Sequence, residues 1–205
     1  MQTFVHAQDM RDFLIRADDA FSKKDYETSL KLYRDVHDSR TPDKTDTVYV
    51  NAVYGMIFSL SNIGLDLQSS GNYFYADIYY NKAIQLLDNS AFSDNTMKAY
   101  LYHLIGKNFG MSGSNENAVE MYEKALQLNE GGDPKKFCDF LTDLAKEYSL
   151  LGRKEKSDEL FRKTITYYEK ERNKYKYELA STYLMFGFVR MNDGAFDESE
   201  NLFLQ

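Results

Sequence analysis

One cysteine and three histidines are the side chains here best suited to nucleophilic or metal chemistry. Cys138 and His103 are a nucleophile and a base by type, since an imidazole can take a thiol proton. No third group that would orient the imidazole is evident, and Cys138 stands near the start of a helical stretch, so a small buried thiol is the simpler reading. A single cysteine excludes an intrachain disulfide and any zinc site built on a cysteine pair. His6, His37 and His103 lie far apart and lack metal-ligand spacing. No glycine-rich phosphate loop, serine elbow or paired-histidine helix motif occurs. Acidic neighbours such as Asp18 and Asp19 suit a solvated helix face. These residues predict no enzyme, no metal and no cofactor.

Aromatic residues offer the other possible chemistry. Residues 70–84, SGNYFYADIYYNKAI, hold five rings. Such a cluster either stacks on a ligand or packs a core. A second aromatic run, YEKERNKYKYE at 168–178, mixes Lys170, Arg172, Lys174 and Lys176 with tyrosines, a pattern that can bind RNA. Its glutamates dilute the charge, and the 205-residue chain carries a net charge of −7 with a pI near 5.1. Nucleic-acid binding and attraction to an anionic membrane are therefore not expected. A solvated junction between helices is the reading preferred for 168–178. Hydrophobic residues at 43% and charged residues at 28% give a globular balance. Thr47 to Leu65 is uncharged, but its polar residues argue for a buried helix over a membrane span, so no membrane insertion is expected. The start, MQTFVHAQD, is too short for a signal peptide, although Val5-His6-Ala7 resembles the small-residue end of one. A cytoplasmic location is expected, with an exported protein whose signal peptide has been removed as the alternative.

The elements that position these residues follow from the glycines. Only Pro42 and Pro134 could interrupt helices, and no run of strict apolar alternation marks a strand. Gly71, Gly113, Gly152 and Gly194 follow apolar helical stretches at spacings of 42, 39 and 42, and Lys24 holds the place in a fainter copy 47 residues earlier. Seven residues before each turn stand Ala17, Gly64, Gly106, Ala145 and Gly187. Five residues after it stand Ser29, Ala76, Ala118, Ser157 and Ser199, and nine after it Tyr33, Tyr80, Tyr122, Phe161 and Phe203. Small residues let two helices approach, the aromatic ring plugs the hole beside them, and glycine turns the chain. Helix pairs that cannot bury their apolar faces alone must stack.

This pattern resembles the tetratricopeptide repeat family, in stretches such as IGLDLQSSGNYFYADIYYNKAI and IGKNFGMSGSNENAVEMYEKAL. The period of about 40 is similar to the long repeats of kinesin light chains and bacterial peptide-sensing regulators, not the usual 34. The resemblance implies an all-α, right-handed superhelical solenoid of about five helix-turn-helix repeats. First helices are expected over 8–22, 45–69, 94–111, 134–150 and 174–191, and second helices over 26–38, 73–88, 115–129, 154–171 and 195–205. Residues 1–205 are read as one repeat domain, with pairs at 8–38, 45–88, 94–129, 134–171 and 174–205. Because no polar cap follows the last pair, the sequence reads as a fragment of a longer array or protein.

In this family the first helices line a concave groove, which implies the candidate site. Its inward positions are Phe58, Ser61, Leu65 and Gln68, then Tyr100, His103, Lys107 and Gly110. They continue with Asp139, Thr142, Lys146 and Ser149, then Ser181, Leu184, Phe188 and Met191. A polar middle with two lysines and apolar flanks suits an extended peptide or a partner helix. Phe58, Tyr100, His103, Lys107, Thr142, Lys146 and Phe188 are the predicted partner contacts. The family's clamp for a C-terminal carboxylate is poorly matched, with Leu14, Asp18 and Tyr100 at its places and only Asn62 agreeing. Phe74 and Tyr75 fall where other copies carry polar residues; they either cover the preceding helix or form an exposed outer patch. The function implied is a non-catalytic protein- or peptide-binding domain. The alternative is a ligand- or peptide-sensing regulatory module of a larger transcription regulator, receptor kinase or repeat-regulated protease.

Overall fold

The computed structural model describes residues 7–205, with the side chains of Ala7, Gln8 and Asp9 left aside. His6 and Val5, part of the leader-like stretch, lie outside the described residues. Every regular element among the described residues is an α-helix, in the order α1 Ala7–Ser22, α2 Tyr26–Asp38, α3 Thr47–Ser69, α4 Tyr73–Asp88, α5 Asn95–Met111, α6 Asn115–Leu128, α7 Pro134–Leu150, α8 Lys154–Glu169, α9 Lys176–Asn192 and α10 Phe196–Phe203. The chain divides into two compact units, Met1–Leu101 and Tyr102–Gln205, with the boundary inside α5.

The turns between paired helices repeat one hydrogen-bond pattern. Gly71, Gly113, Gly152 and Gly194 have φ between +71° and +81°, and Lys24 is forced to +62°. The next residue donates its N–H five residues back: Asp25 to Ala20, Asn72 to Leu67, Ser114 to Phe109, Arg153 to Tyr148 and Ala195 to Arg190, all at 2.8–2.9 Å. This is the left-handed helix stop that glycine makes at low cost, and Lys24 adopts it without that advantage. Helix starts are equally legible. Asp46 caps α3 through Val48 N–H at 2.9 Å, and Asp133 caps α7 through Lys135 N–H at 2.9 Å, with Pro134 at the first helical position.

In the first unit the aromatic column packs against glycine. A Cβ built on Gly64 would stand 2.5 Å from the Tyr80 ring, and one on Gly55 would stand 2.4 Å from Tyr33. Tyr33 and Tyr80 are buried, and Ser29 donates to the Ala17 carbonyl at 3.0 Å, tying α2 to α1. Helix α3 is long and apolar enough to cross a membrane by length and composition, yet 61% of its most apolar window is buried within the protein. Ser59 and Ser61 inside it satisfy their hydroxyls on the Gly55 and Ile57 carbonyls at 2.8 Å.

The second unit repeats this arrangement. A Cβ on Gly106 would stand 2.7 Å from Tyr122, and one on Gly187 would stand 2.4 Å from Phe203. Phe161 is fully buried and stacks on Phe186 of α9, with ring centroids 4.9 Å apart and planes 13° apart. Ser199 repeats the bond of Ser29 by donating to the Gly187 carbonyl at 2.9 Å. Arg190, almost buried, gathers Asp158 of α8, Asp193 at 3.1 Å and Glu198 of α10 at 3.4 Å, so three acids compensate its desolvation.

Candidate functional site

A cavity of about 410 Å³ lies in the second unit. Helix α7 contributes Lys135, Asp139, Thr142 and Asp143, and α9 contributes Tyr177, Glu178 and Ser181. The C-terminal part of α5 adds His103 and Lys107. Their helical spacing explains this: 135, 139, 142 and 143 share one stripe of α7, as do 103 and 107 on α5.

The polar groups of this cavity are mostly paired with one another. His103 Nε2 and Asp143 Oδ2 are 2.7 Å apart, and the imidazole ring lies 4.5 Å from the Phe140 centroid. Lys135 Nζ stands 3.5 Å from both Asp139 and Glu178, joining α7 to α9. Burial raises the Asp139 carboxyl above its ordinary pKa, and the Lys135 ammonium opposes that rise. For Lys135 burial acts downward, but Asp139 and Glu178 outweigh it and hold the ammonium protonated above its ordinary range. Lys107 makes no ion pair to a described residue, and neither does Lys146 one helix later. Both are exposed, and both stand six residues before their repeat's turn glycine.

The residues predicted from sequence part company here. His103, Lys107 and Thr142 line this cavity together. Lys146 lies on α7 outside the lining, and Phe188 is 53% exposed on α9, edge-on to Phe203 at 5.2 Å. Phe58 and Tyr100 belong to the first unit: Phe58 is 40% exposed and stacks on Tyr54, while Tyr100 is half-buried with its hydroxyl pKa raised by burial. Several inward positions need correcting. Ser61 and Gln68 are buried, and Thr142 is nearly so, its hydroxyl donating to the Cys138 carbonyl at 2.9 Å. Gly110 is covered by the Glu147 carboxylate, whose Oε1 lies 2.6 Å from a Cβ built there. Lys135 and Asp143 were not singled out by the sequence, and Tyr177 and Glu178 were read only as part of the run 168–178; the spacing of Lys135 and Asp139, four apart at the start of α7, was the available signal.

The nucleophile–base combination does not assemble into one site. Cys138 is buried at a different cavity from the one His103 lines, and burial pushes its thiol up to about 11. That leaves little thiolate at neutral pH. Among the described residues no group of three or more His, Cys, Asp or Glu side chains could hold a metal ion. Asp18, at a clamp place, accepts from the Tyr33 hydroxyl, and Asn62 donates to the Phe58 carbonyl at 2.8 Å. In the tyrosine-rich run, Tyr168 and Tyr175 are buried around Cys138 and Leu179, while Tyr177 is exposed. Phe74 and Tyr75 are 74% and 58% exposed, edge-on to each other at 5.5 Å.

Residues 55–130 match the tetratricopeptide repeat family, a stretch that runs from within α3 to just past α6. Comparison by sequence with curated proteins gives no match. Solved structures share the fold. BtubC (BKLC) from P. vanneervenii superposes with a TM-score of 0.70 at 15% identity, over 97% of this chain and 71% of that one. A putative kinesin light chain from Podosopora anserina, with nearly identical TPR-like repeats, gives 0.63 at 12% identity over 97% and 93%. The Rap conjugation gene regulator of the plasmid pLS20, solved in complex with the Phr* peptide, gives 0.63 at 14% identity over 94% of this chain and 61% of that one. The fold is thus that of tetratricopeptide-like helical repeats, and the family's own sequence pattern is matched over residues 55–130.

Proposed function

We propose that this protein is an interaction module whose first-helix face in the second unit docks an extended peptide or a partner helix bearing an acidic side chain. The observation that carries this reading is the unpaired ammonium of Lys107 at a cavity whose other cations are already matched to acids. Lys146, at the same repeat offset on the next first helix, offers a second point charge. Leu184, Phe188 and Met191, 48%, 53% and 41% exposed along α9, supply an apolar flank. An ionic contact beside aromatic and aliphatic anchors is the usual economy of a peptide groove. The Rap regulator solved with the Phr* peptide has this fold, which supports a peptide as the occupant and favours, as a second reading, a peptide-sensing role within a larger signalling protein.

The test is affinity selection from a displayed library of random dodecapeptides. Selected sequences should carry an acidic residue within a few positions of an apolar one. The variant Lys107→Glu with Lys146→Glu should lose those peptides while keeping the helical circular dichroism of the parent. Selection of the same peptides by the double variant would exclude these lysines as the contact.

A further inference from the structure

A second cavity, of about 290 Å³, opens between α7 and α8. Its floor and walls are Phe137, Cys138, Leu141 and Tyr167, and its rim carries Lys163 and Lys170. Lys163 and Lys170 are seven residues apart, two turns along one face of α8 and its cap. Thr166 stands between them with its hydroxyl committed to the Arg162 carbonyl at 2.7 Å.

Three nearby acids are already engaged: Glu169 with Arg172 at 3.5 Å and the Tyr183 hydroxyl at 3.1 Å, Glu171 with Lys174 at 3.3 Å, and Asp139 with Lys135 at 3.5 Å; Glu159, four residues before Lys163 on α8, is exposed. Lys163 and Lys170 make no ion pair to any described residue, and Lys163 instead sits over the Phe137 ring, 5.3 Å from its centroid. An apolar slot with two uncompensated ammonium groups at its mouth is complementary to a ligand with an apolar body and one anionic end. The volume stands at the small end of the range for ligand pockets, about 300–1,000 Å³, which limits the body to one fused ring system or a short branched chain.

We propose that this cavity binds a small aromatic carboxylic acid, its ring between Phe137, Leu141 and Tyr167 and its carboxylate held by Lys163 and Lys170. Burial in the slot removes the ring from water, and the ammonium groups give the carboxylate a partner that the apolar lining lacks. The site is separate from the face assigned to peptide docking, so either can fail without the other.

The experiment titrates the ¹⁵N-labelled protein with 2-naphthylacetate and, in parallel, with the neutral 2-naphthylacetamide. Binding should be saturable, with amide shifts concentrated in 137–141 and 163–170, and the amide should bind at least about tenfold more weakly. Lys163→Glu with Lys170→Glu should weaken the acid by a similar factor and leave the amide unchanged. Thr166→Trp, an exposed substitution that fills the slot from its rim, should abolish binding of both probes with the fold intact. Shifts scattered over the surface, equal binding of acid and amide, or full binding by the lysine double variant would overturn the assignment.

Discussion

Glu147 gives the sharpest quantitative prediction. It stands on α7 with 2% of its surface exposed, and its Oε2 has no hydrogen-bond partner among the described residues. Its Oε1 occupies the space that a side chain at Gly110 would need. Burial raises the carboxyl pKa above the ordinary value; Lys146 pulls it down and Asp143 pushes it up again. The folded state therefore holds this proton to a higher pH than the unfolded chain does. Between the unfolded carboxyl pKa, about 4.3, and the higher folded value, the folded state binds the extra proton, so its contribution to stability falls as pH rises through that window. Below both values the contribution is complete, and above the folded value an ionised, underpartnered acid is left inside the protein. Replacing it by Glu147→Gln keeps the shape and removes the charge. The gain at pH 7 should be about 1 kcal/mol, from the cost of about 1–3 kcal/mol for a buried polar group lacking its partner, less what the amide itself leaves unmet. That corresponds to roughly 2–4 °C in melting temperature for a chain of this size. Urea unfolding of both proteins from pH 4 to pH 8 reads it directly. The difference should vanish near pH 4 and grow toward pH 8. The raised carboxyls of Asp77 and Asp139 are present in both proteins and cancel. A variant less stable than the parent at pH 7, or a difference constant from pH 4 to pH 8, would refute the assignment of Glu147 as a buried, undercompensated acid.

Other outcomes follow from the same structure. Lys24→Gly should raise stability by about 1 kcal/mol in chemical denaturation, because Lys24 holds φ at +62°, a conformation that costs an L-residue about 1–2 kcal/mol and glycine little. Gly106→Ala should lower it by about 1–3 kcal/mol in the same assay, since the new Cβ would stand 2.7 Å from the buried Tyr122 ring. Cys138, buried with its thiol raised to about 11, should not react with Ellman's reagent at pH 8 in the native protein and should react at once in 6 M guanidinium.

The helix hairpins were legible because each column position is fixed by a contact on both sides. Gly64 and Gly106 are small because Tyr80 and Tyr122 lie on them, and the turn residues share one left-handed conformation even where Lys24 replaces glycine. Which first-helix positions are exposed was less legible, and the hydroxyl residues explain why. Ser61 and Thr142 read as polar surface, but each donates to the carbonyl four residues back, Ile57 and Cys138, and so can be buried without an unmet hydrogen bond. Spacing of three and four along a first helix marks a stripe; it does not say which part of the stripe the next helix covers. Glu147 gave no signal at all, because an acid between Lys146 and Tyr148 on a mixed helix reads as solvated. In SGNYFYADIYYNKAI the columns assign Tyr80 to the core, and its full burial agrees, while Phe74 and Tyr75 stay outside.

Charge supplies the link between fold and binding. With 32 acids against 25 lysines and arginines, a folded chain of this composition offers every cation potential partners. Arg190, which is buried, and Lys135, which is exposed, each use more than one acid, and both tie neighbouring helices together. Lys107, Lys146, Lys163 and Lys170 take none among the described residues, although acids stand close by in sequence. An exposed ammonium in water needs no partner, so its freedom alone says little. At Lys107 and at the Lys163–Lys170 rim the ammonium faces a cavity, where a ligand's anionic group would exchange water for a partly desolvated ion pair. Lys146 lines neither of these cavities. Reversing Lys107 alone should therefore remove more peptide affinity than reversing Lys146 alone, and equal losses would mean that the groove reads net charge and not position.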